Sequence, residues 1–414
     1  METCKYLILG AGPSGLSFAH TLLAAGEESF LVLDKEAEAG GLCRSAQVDG
    51  APLDIGGGHF LDVKRQEVLE LLFRFMPREE WQSHDRVSKI RLRGVELDHP
   101  LEGNLWQLPL SDQMDFLESI ARAGCVRGEP APEAFADWIT WKLGECIARE
   151  YMLPYNRKIW SMDPNALGTY WLYKLPDVSF RDTLQSCLEK KMCGALPAHG
   201  TFLYPKAHGY GEVWRRMGDA LGERLRLNEP VTSVDPATRT VNGRYRAETL
   251  LVNSIPWTVW EQAGALPPEV GAAVGKLVQV PIDVDYVADT LPSDSHWTYD
   301  PDENKSFHRI LLRANFCPGA RGYWTETNSA RAIGDGSSDG AGGPGFRHRN
   351  EYAYPVNTLE KPATMKTVTG WAQANGVYPL GRWGQWEHMN SDVAVSLAIK
   401  SAQEVLGAGV PATA

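Results

Sequence analysis

The 414-residue chain is 43% apolar and 22% charged, enough for two or three units of about 150 residues, and this composition excludes a disordered, collagenous or small disulfide-scaffold protein. The 52 acidic and 41 basic side chains give a net charge of -11. That is the wrong sign for long-range attraction to nucleic acid or an anionic membrane surface, so an anionic ligand must meet a local basic pocket. The 7 cysteines, an odd number with no CxxC and no zinc-like spacing, read as reduced thiols of a cytoplasmic protein with no structural metal.

Residues 6–26 carry no formal charge and approach the about 20 residues of a membrane helix. Gly10, Gly12, Pro13, Ser14 and Gly15 in their midst predict instead a strand over 5–9, a glycine turn and a helix over 14–25. A second apolar strand over 30–33 ends at Asp34, completing a βαβ opening. No basic leader with a small-residue cleavage site is present, so neither a secretory signal nor a membrane span is expected. Val68, Leu69, Leu71, Leu72 and Phe75 recur at helical spacing within 64–76. The stretch 111–123 repeats the pattern behind Ser111-Asp112, a pair suited to an N-cap. A longer helix is expected over 132–151, with Pro154 interrupting it. Short strands with turns at Asp235-Pro236 and Asn242-Gly243 follow over 224–257, and apolar alternation over 278–324 predicts sheet. The glycine-rich run 334–345 reads as a hairpin tip. A strand ending at Gly381-Arg382 and a closing helix over 392–406 complete the chain.

The glycine turn carries the first chemical signal. In Gly10-Ala11-Gly12-Pro13-Ser14-Gly15, the first glycine permits the tight turn and the second lets backbone N–H groups approach a pyrophosphate. The third allows close helix–strand packing, and the helix N-terminus favours the anion. Asp34 lies 19 residues after Gly15, where a carboxylate can accept from a ribose. The run Ala39-Gly40-Gly41-Leu42-Cys43-Arg44-Ser45 resembles the paired-glycine and arginine stretch of FAD-containing amine-oxidase-like proteins, which implies FAD rather than NAD. The expected fold is α/β. A Rossmann-like FAD-binding domain (1–62, 205–260 and 370–414) carries a largely helical insertion lobe (63–204) and a sheet-rich substrate domain (261–369) of mixed or antiparallel strands.

Three further segments narrow this expectation: Asp54-Ile55-Gly56-Gly57-Gly58-His59-Phe60, Pro154-Tyr155-Asn156-Arg157-Lys158-Ile159-Trp160 and Gly381-Arg382-Trp383-Gly384-Gln385-Trp386. With His308-Arg309-Ile310 and Tyr352-Ala353-Tyr354-Pro355-Val356, they resemble, in order and spacing, the UDP-galactopyranose mutase family. The resemblance implies a pyranose/furanose mutase in which N5 of reduced FAD attacks the anomeric carbon of a nucleotide sugar and displaces the nucleoside diphosphate.

It implies Arg309 as a diphosphate-gripping arginine and Lys174 in place of a second one, with Arg181 a nearby substitute. His59 would lie against the isoalloxazine, Tyr155 on the uracil, Trp160 along the pocket, and Tyr354 at the diphosphate. His388 stands where the family more often has a tyrosine, a departure that would make phosphate binding more sensitive to pH. Cofactor contacts are implied at Gly41, Arg44, Gly58, Val231, Arg382 and Asn390, beside Gly10, Gly12, Ser14, Gly15 and Asp34. The implied partners are a UDP- or other NDP-hexose, a reductant such as NAD(P)H, and a second copy of the chain in a homodimer or higher oligomer. The alternatives are an FAD-dependent oxidase or desaturase of the amine-oxidase-like class, and a flavin-binding protein without activity.

Overall fold

Strand Glu2–Leu9, helix Pro13–Ala24 and strand Phe30–Leu33 build the expected opening unit. The structure, a computed structural model, describes residues 1–172, 178–194, 200–264, 266–331 and 345–407. Tyr6 and Ile8 enter one hydrophobic core while Leu7 and Leu9 enter another on the opposite side of the sheet, as alternation along a strand requires. Cys4 joins the second core because the register shifts between Cys4 and Tyr6. Each fully buried Leu or Ile there contributes about 1.5–3 kcal/mol. Burial on both faces is the mark of a parallel sheet. Glu2–Leu9 indeed runs parallel to Phe30–Leu33 and to Tyr245–Asn253, with Leu225–Arg226 and Val377–Pro379 extending the sheet. The helix Ser391–Gly407 packs beside Pro13–Ala24, its small Ala394, Ala398 and Ala402 buried.

A second sheet orders its strands Phe346–Pro355, Gln279–Val287, Tyr323–Asn328, Phe307–Leu311, Trp297–Tyr299, Ser88–Leu92 and Val95–Asp98. Neighbours are antiparallel except Trp297–Tyr299 against Ser88–Leu92. Its register sets Tyr299, Arg309 and Glu326 in one row across three strands. The stretch 63–204 is thus more than helices. It lends two strands to this sheet, and Trp81–Asp85 and Thr201–Pro205 pair with each other beside Leu61–Asp62.

Two helix boundaries differ from expectation. Helix Leu110–Ala121 has Pro109 at its N-cap and no side-chain cap, so Ser111 and Asp112 already lie inside the first turn. The break expected at Pro154 falls earlier. Gly144 leaves helical geometry at φ 79 and ψ 165 within Phe135–Ile147, and Pro154 follows a π-helical turn, Ala148–Met152, that leads into helix Leu153–Trp160; such a bulge accommodates a residue without an N–H. The glycine-rich run from 334 lies, apart from Gly345, outside the described residues. Among the described residues no helix is long and apolar enough to cross a membrane.

Candidate functional site

The helix Pro13–Ala24 begins at Gly12 with no side-chain cap, leaving backbone donors at its N-terminus for an anion. Gly10 holds φ +100, and a Cβ on Gly15 would sit 1.9 Å from the Gly10 carbonyl oxygen; the turn therefore requires glycine at both positions. At the end of the second strand, Asp34 Oδ2 accepts from the Ala11 N–H at 2.6 Å and Oδ1 from the Glu36 N–H at 2.9 Å. Burial pushes the Asp34 carboxyl up, against these bonds.

Gly10, Gly12, Ser14 and Asp34 line a groove of about 340 Å³, with Gly15 behind them rather than in its wall; it runs past Gly41, Arg44 and Val231 to His59, Arg382, Met389 and Ser391. Its shape and donor set fit a dinucleotide: an uncapped helix start for a pyrophosphate, a carboxylate for a ribose, and length beyond them for a second ring system. Arg44 donates to Gly41 O at 3.0 Å and to Glu36 at 3.0 Å, so a carboxylate already matches its charge. Asn390 is exposed and its carbonyl accepts from the Ala394 N–H at 3.0 Å. It serves the start of the closing helix, and the groove is lined by its neighbours Met389 and Ser391 rather than by Asn390.

Beyond the groove's inner end, the second sheet brings the expected substrate residues together. Arg309 donates through Nε and Nη2 to Glu326 Oε2 at 2.9 and 2.5 Å, a pairing that the cross-strand register dictates. Glu326 is fully buried. Burial by itself would raise its carboxyl; Arg309, His308 and the Gly58 N–H overcome this and hold it at about 2. Its other oxygen, Oε1, accepts from the Gly58 N–H at 3.0 Å, and a Cβ on Gly57 would reach within 2.6 Å of that oxygen. One carboxylate therefore ties Arg309 to the loop that carries His59. His59 Nδ1 lies 3.0 Å from Gly57 O, and burial, reinforced by the Arg382 charge, pulls the imidazole down to about 4; it is neutral at neutral pH.

Aromatic groups complete the chamber. Tyr354 lies 6.1 Å from Trp160 and 5.0 Å from His388, centroid to centroid, and His388 lies 6.3 Å from Trp160. Tyr155 meets Tyr299 edge-on at 5.4 Å and His308 at 6.1 Å. Arg382 stands 6.0 Å over the Tyr354 ring and, among the described residues, donates to the carbonyls of Ala353 and Met389. Glu326 neutralises Arg309, and Arg382 adds positive charge beside it. Lys174 lies outside the described residues. Arg181 is exposed on helix Phe180–Glu189.

Sequence reasoning missed Glu326 and Tyr299. Tyr299 lay within the strand-like alternation over 278–324 and Glu326 just beyond it; the row joining them to Arg309 exists only once the strands pair. It also missed the groove wall formed by Ser254, Ile255, Pro256 and His348. No group of three or more His, Cys, Asp and Glu side chains suited to a metal occurs among the described residues.

The fold and groove define an α/β dinucleotide-binding architecture, and residues 8–75 match the NAD(P)-binding Rossmann-like domain family. Over nearly the whole chain, the fold is similar to that of reduced UDP-galactopyranose mutase, with 22% identity, TM-score 0.87, and coverage of 99% of this chain and 95% of the other. It is also similar to cyclohexylamine oxidase from Brevibacterium oxydans IH-35A, with 16% identity, TM-score 0.66, and coverage of 98% and 99%. A CLA-producing fatty acid isomerase from P. acnes shares it at 14% identity and TM-score 0.66, with coverage of 97% and 98%.

Proposed function

We propose that the chain is an FAD-dependent enzyme that interconverts the pyranose and furanose forms of a nucleotide sugar, with a UDP- or other NDP-hexose as substrate and a reductant such as NAD(P)H. The observation that carries this reading is the convergence of Arg309, Arg382, Tyr354, Tyr155 and Trp160 beside the inner end of a dinucleotide groove. Reduced FAD, when bound, supplies a nucleophile for the anomeric carbon.

What remains for the protein is to hold a departing diphosphate and to orient the sugar. Arg309 has a planar fork suited to phosphate. Glu326 occupies its Nε and Nη2, which fixes the guanidinium plane and leaves its remaining edge for the ligand. Burial opposes protonation of Arg309, but Glu326 and the surrounding tyrosines more than offset this, so it stays charged. Arg382 adds a second positive charge for a diphosphate, which carries about two negative charges in a partly dry site. Tyr155 offers a ring face to the base, while the Trp160 indole N–H is already bonded to Asn156 at 2.9 Å and acts as a wall. His388 offers a polar edge toward the phosphates. Neutral His59, on its glycine loop, orients the groove's inner end without adding charge.

The deciding experiment incubates dithionite-reduced, FAD-loaded protein with UDP-galactopyranose and follows the furanose isomer by chromatography. Interconversion that requires reduction, with UDP protecting the protein thermally, supports the reading. Amine-driven bleaching of the flavin with oxygen uptake and no effect of UDP overturns it in favour of an oxidase.

A further inference from the structure

On that reading the nucleotide sits between two elements from separate parts of the chain. Helix Leu153–Trp160 carries Tyr155 and Trp160, and strand Phe307–Leu311 carries Arg309. Two buried polar side chains join them.

Lys158 is fully buried. Its ammonium donates to the carbonyls of Asp300 and Asp302 at 2.8 and 2.7 Å, lies 4.0 Å from Asp300 Oδ1 and stands 5.5 Å over the Phe307 ring. These carbonyls belong to the connection between strands Trp297–Tyr299 and Phe307–Leu311, so the amine grips the chain just before Arg309. Burial draws Lys158 down to about 8, and the carboxylates of Asp300 and Asp302 work against that fall. Asn328, 1% exposed, donates from Nδ2 to Ile159 O at 2.6 Å. That carbonyl lies in the last turn of the helix, where intrahelical donors run out; the chain then turns through Ser161 in the left-handed region. Asn328 also stands two residues after Glu326 on one strand, so both side chains leave the same face. A single strand thus holds Arg309 through Glu326 and the aromatic helix through Asn328.

Burying an ammonium is costly unless its donors are met. A site that only needed filling would be served by an apolar side chain of like volume. Lys158 instead makes directional bonds to a turn, and these set a spacing as well as fill a space. We propose that Lys158 and Asn328 form a two-point clamp that fixes the distance between the aromatic helix and Arg309, acting as positioning residues for nucleoside recognition. This proposal rests on the nucleotide-sugar reading.

The test uses FAD-loaded, dithionite-reduced wild type, Lys158→Met and Asn328→Ser, titrated calorimetrically with UDP and, separately, with inorganic pyrophosphate. The clamp places the base, whereas Arg309 and Arg382 hold phosphate without it. Each variant is therefore expected to keep its FAD, to bind pyrophosphate within about twofold of wild type, and to bind UDP at least about tenfold more weakly. If Lys158→Met does not fold, Asn328→Ser, which removes one buried hydrogen bond, carries the test. Unchanged UDP affinity, or an equal fall for UDP and pyrophosphate, overturns the clamp and leaves the nucleotide-sugar reading standing. Wild-type protein that binds neither ligand overturns that reading and the clamp with it.

Discussion

Arg309 and Glu326 respond differently to mutation because one faces the chamber and the other is sealed beneath it. On the nucleotide-sugar reading, Arg309→Ala removes charge-assisted contacts worth about 1.5–3 kcal/mol each, so UDP affinity and turnover should fall by about ten- to a hundredfold or more. It also strands a buried carboxylate, for which breaking a buried pair costs about 3–5 kcal/mol. Arg309→Lys separates the two effects: the charge stays, the fork is lost, and UDP binding should weaken with a smaller fall in melting temperature. Equal UDP affinity in wild type and Arg309→Lys would remove the fork from the argument. Arg309 was legible in the sequence through His308-Arg309-Ile310. Glu326 was not, because a lone acid in Tyr323–Asn328 looks like an outward-facing residue until cross-strand register places it opposite Arg309. Asp34 stood out by its distance from the glycines, and the fold sets it against the Ala11 N–H of the glycine turn.

At the level of elements, backbone geometry decides. Gly144 occupies a conformation accessible almost only to glycine, and a Cβ there would approach Ser119 O to 2.6 Å. Gly144→Ala should therefore cost at least about 1–3 kcal/mol, read as a lower urea midpoint with an unchanged slope. Pro154→Ala should shift stability by less than about 1 kcal/mol, since the π-helical turn Ala148–Met152 already accommodates the proline; a larger loss would mean that the proline itself holds that turn. The apolar pattern over 132–151 was readable as helix because a glycine kink leaves the spacing of Phe135, Ile139 and Leu143 intact. Strands Ser88–Leu92 and Val95–Asp98 escaped notice because they are short and carry Lys89, Arg91, Glu96 and Asp98, and because the sheet they extend begins at Trp297–Tyr299, the partner of Ser88–Leu92 some 200 residues away.

For the molecule as a whole, buried imidazoles govern the response to acid. Burial, first among the causes, pulls His59 and His296 down to about 4 and lowers His20, His84, His99, His308 and His348. The unfolded chain takes up protons on these groups below about pH 6.5, while the folded chain resists doing so. Their contribution is therefore complete above about 6.5 and drains as pH falls toward 4. Asp54, pushed up to about 7 by burial, acts the other way: its contribution is complete below about 3.8 and is lost as pH rises through 7. Asp34 and Glu102 are raised in the same sense, but three carboxyls oppose seven imidazoles. Melting temperature should fall between pH 6.5 and 4, with a shallower slope in His296→Gln. A flat profile across that range would contradict neutral burial of these rings.

The groove draws its walls from segments far apart along the chain, Gly10 to Arg44 on one side and Arg382 to Ala394 on the other, with helix Ser391–Gly407 docked on Pro13–Ala24. During synthesis, which proceeds from the N-terminus, the glycine turn leaves the ribosome long before its opposite wall has been translated. Flavin capture must then wait for the segment from Arg382 onward, and protein stalled or cleaved ahead of residue 381 should be recovered colourless however well its first strands have formed.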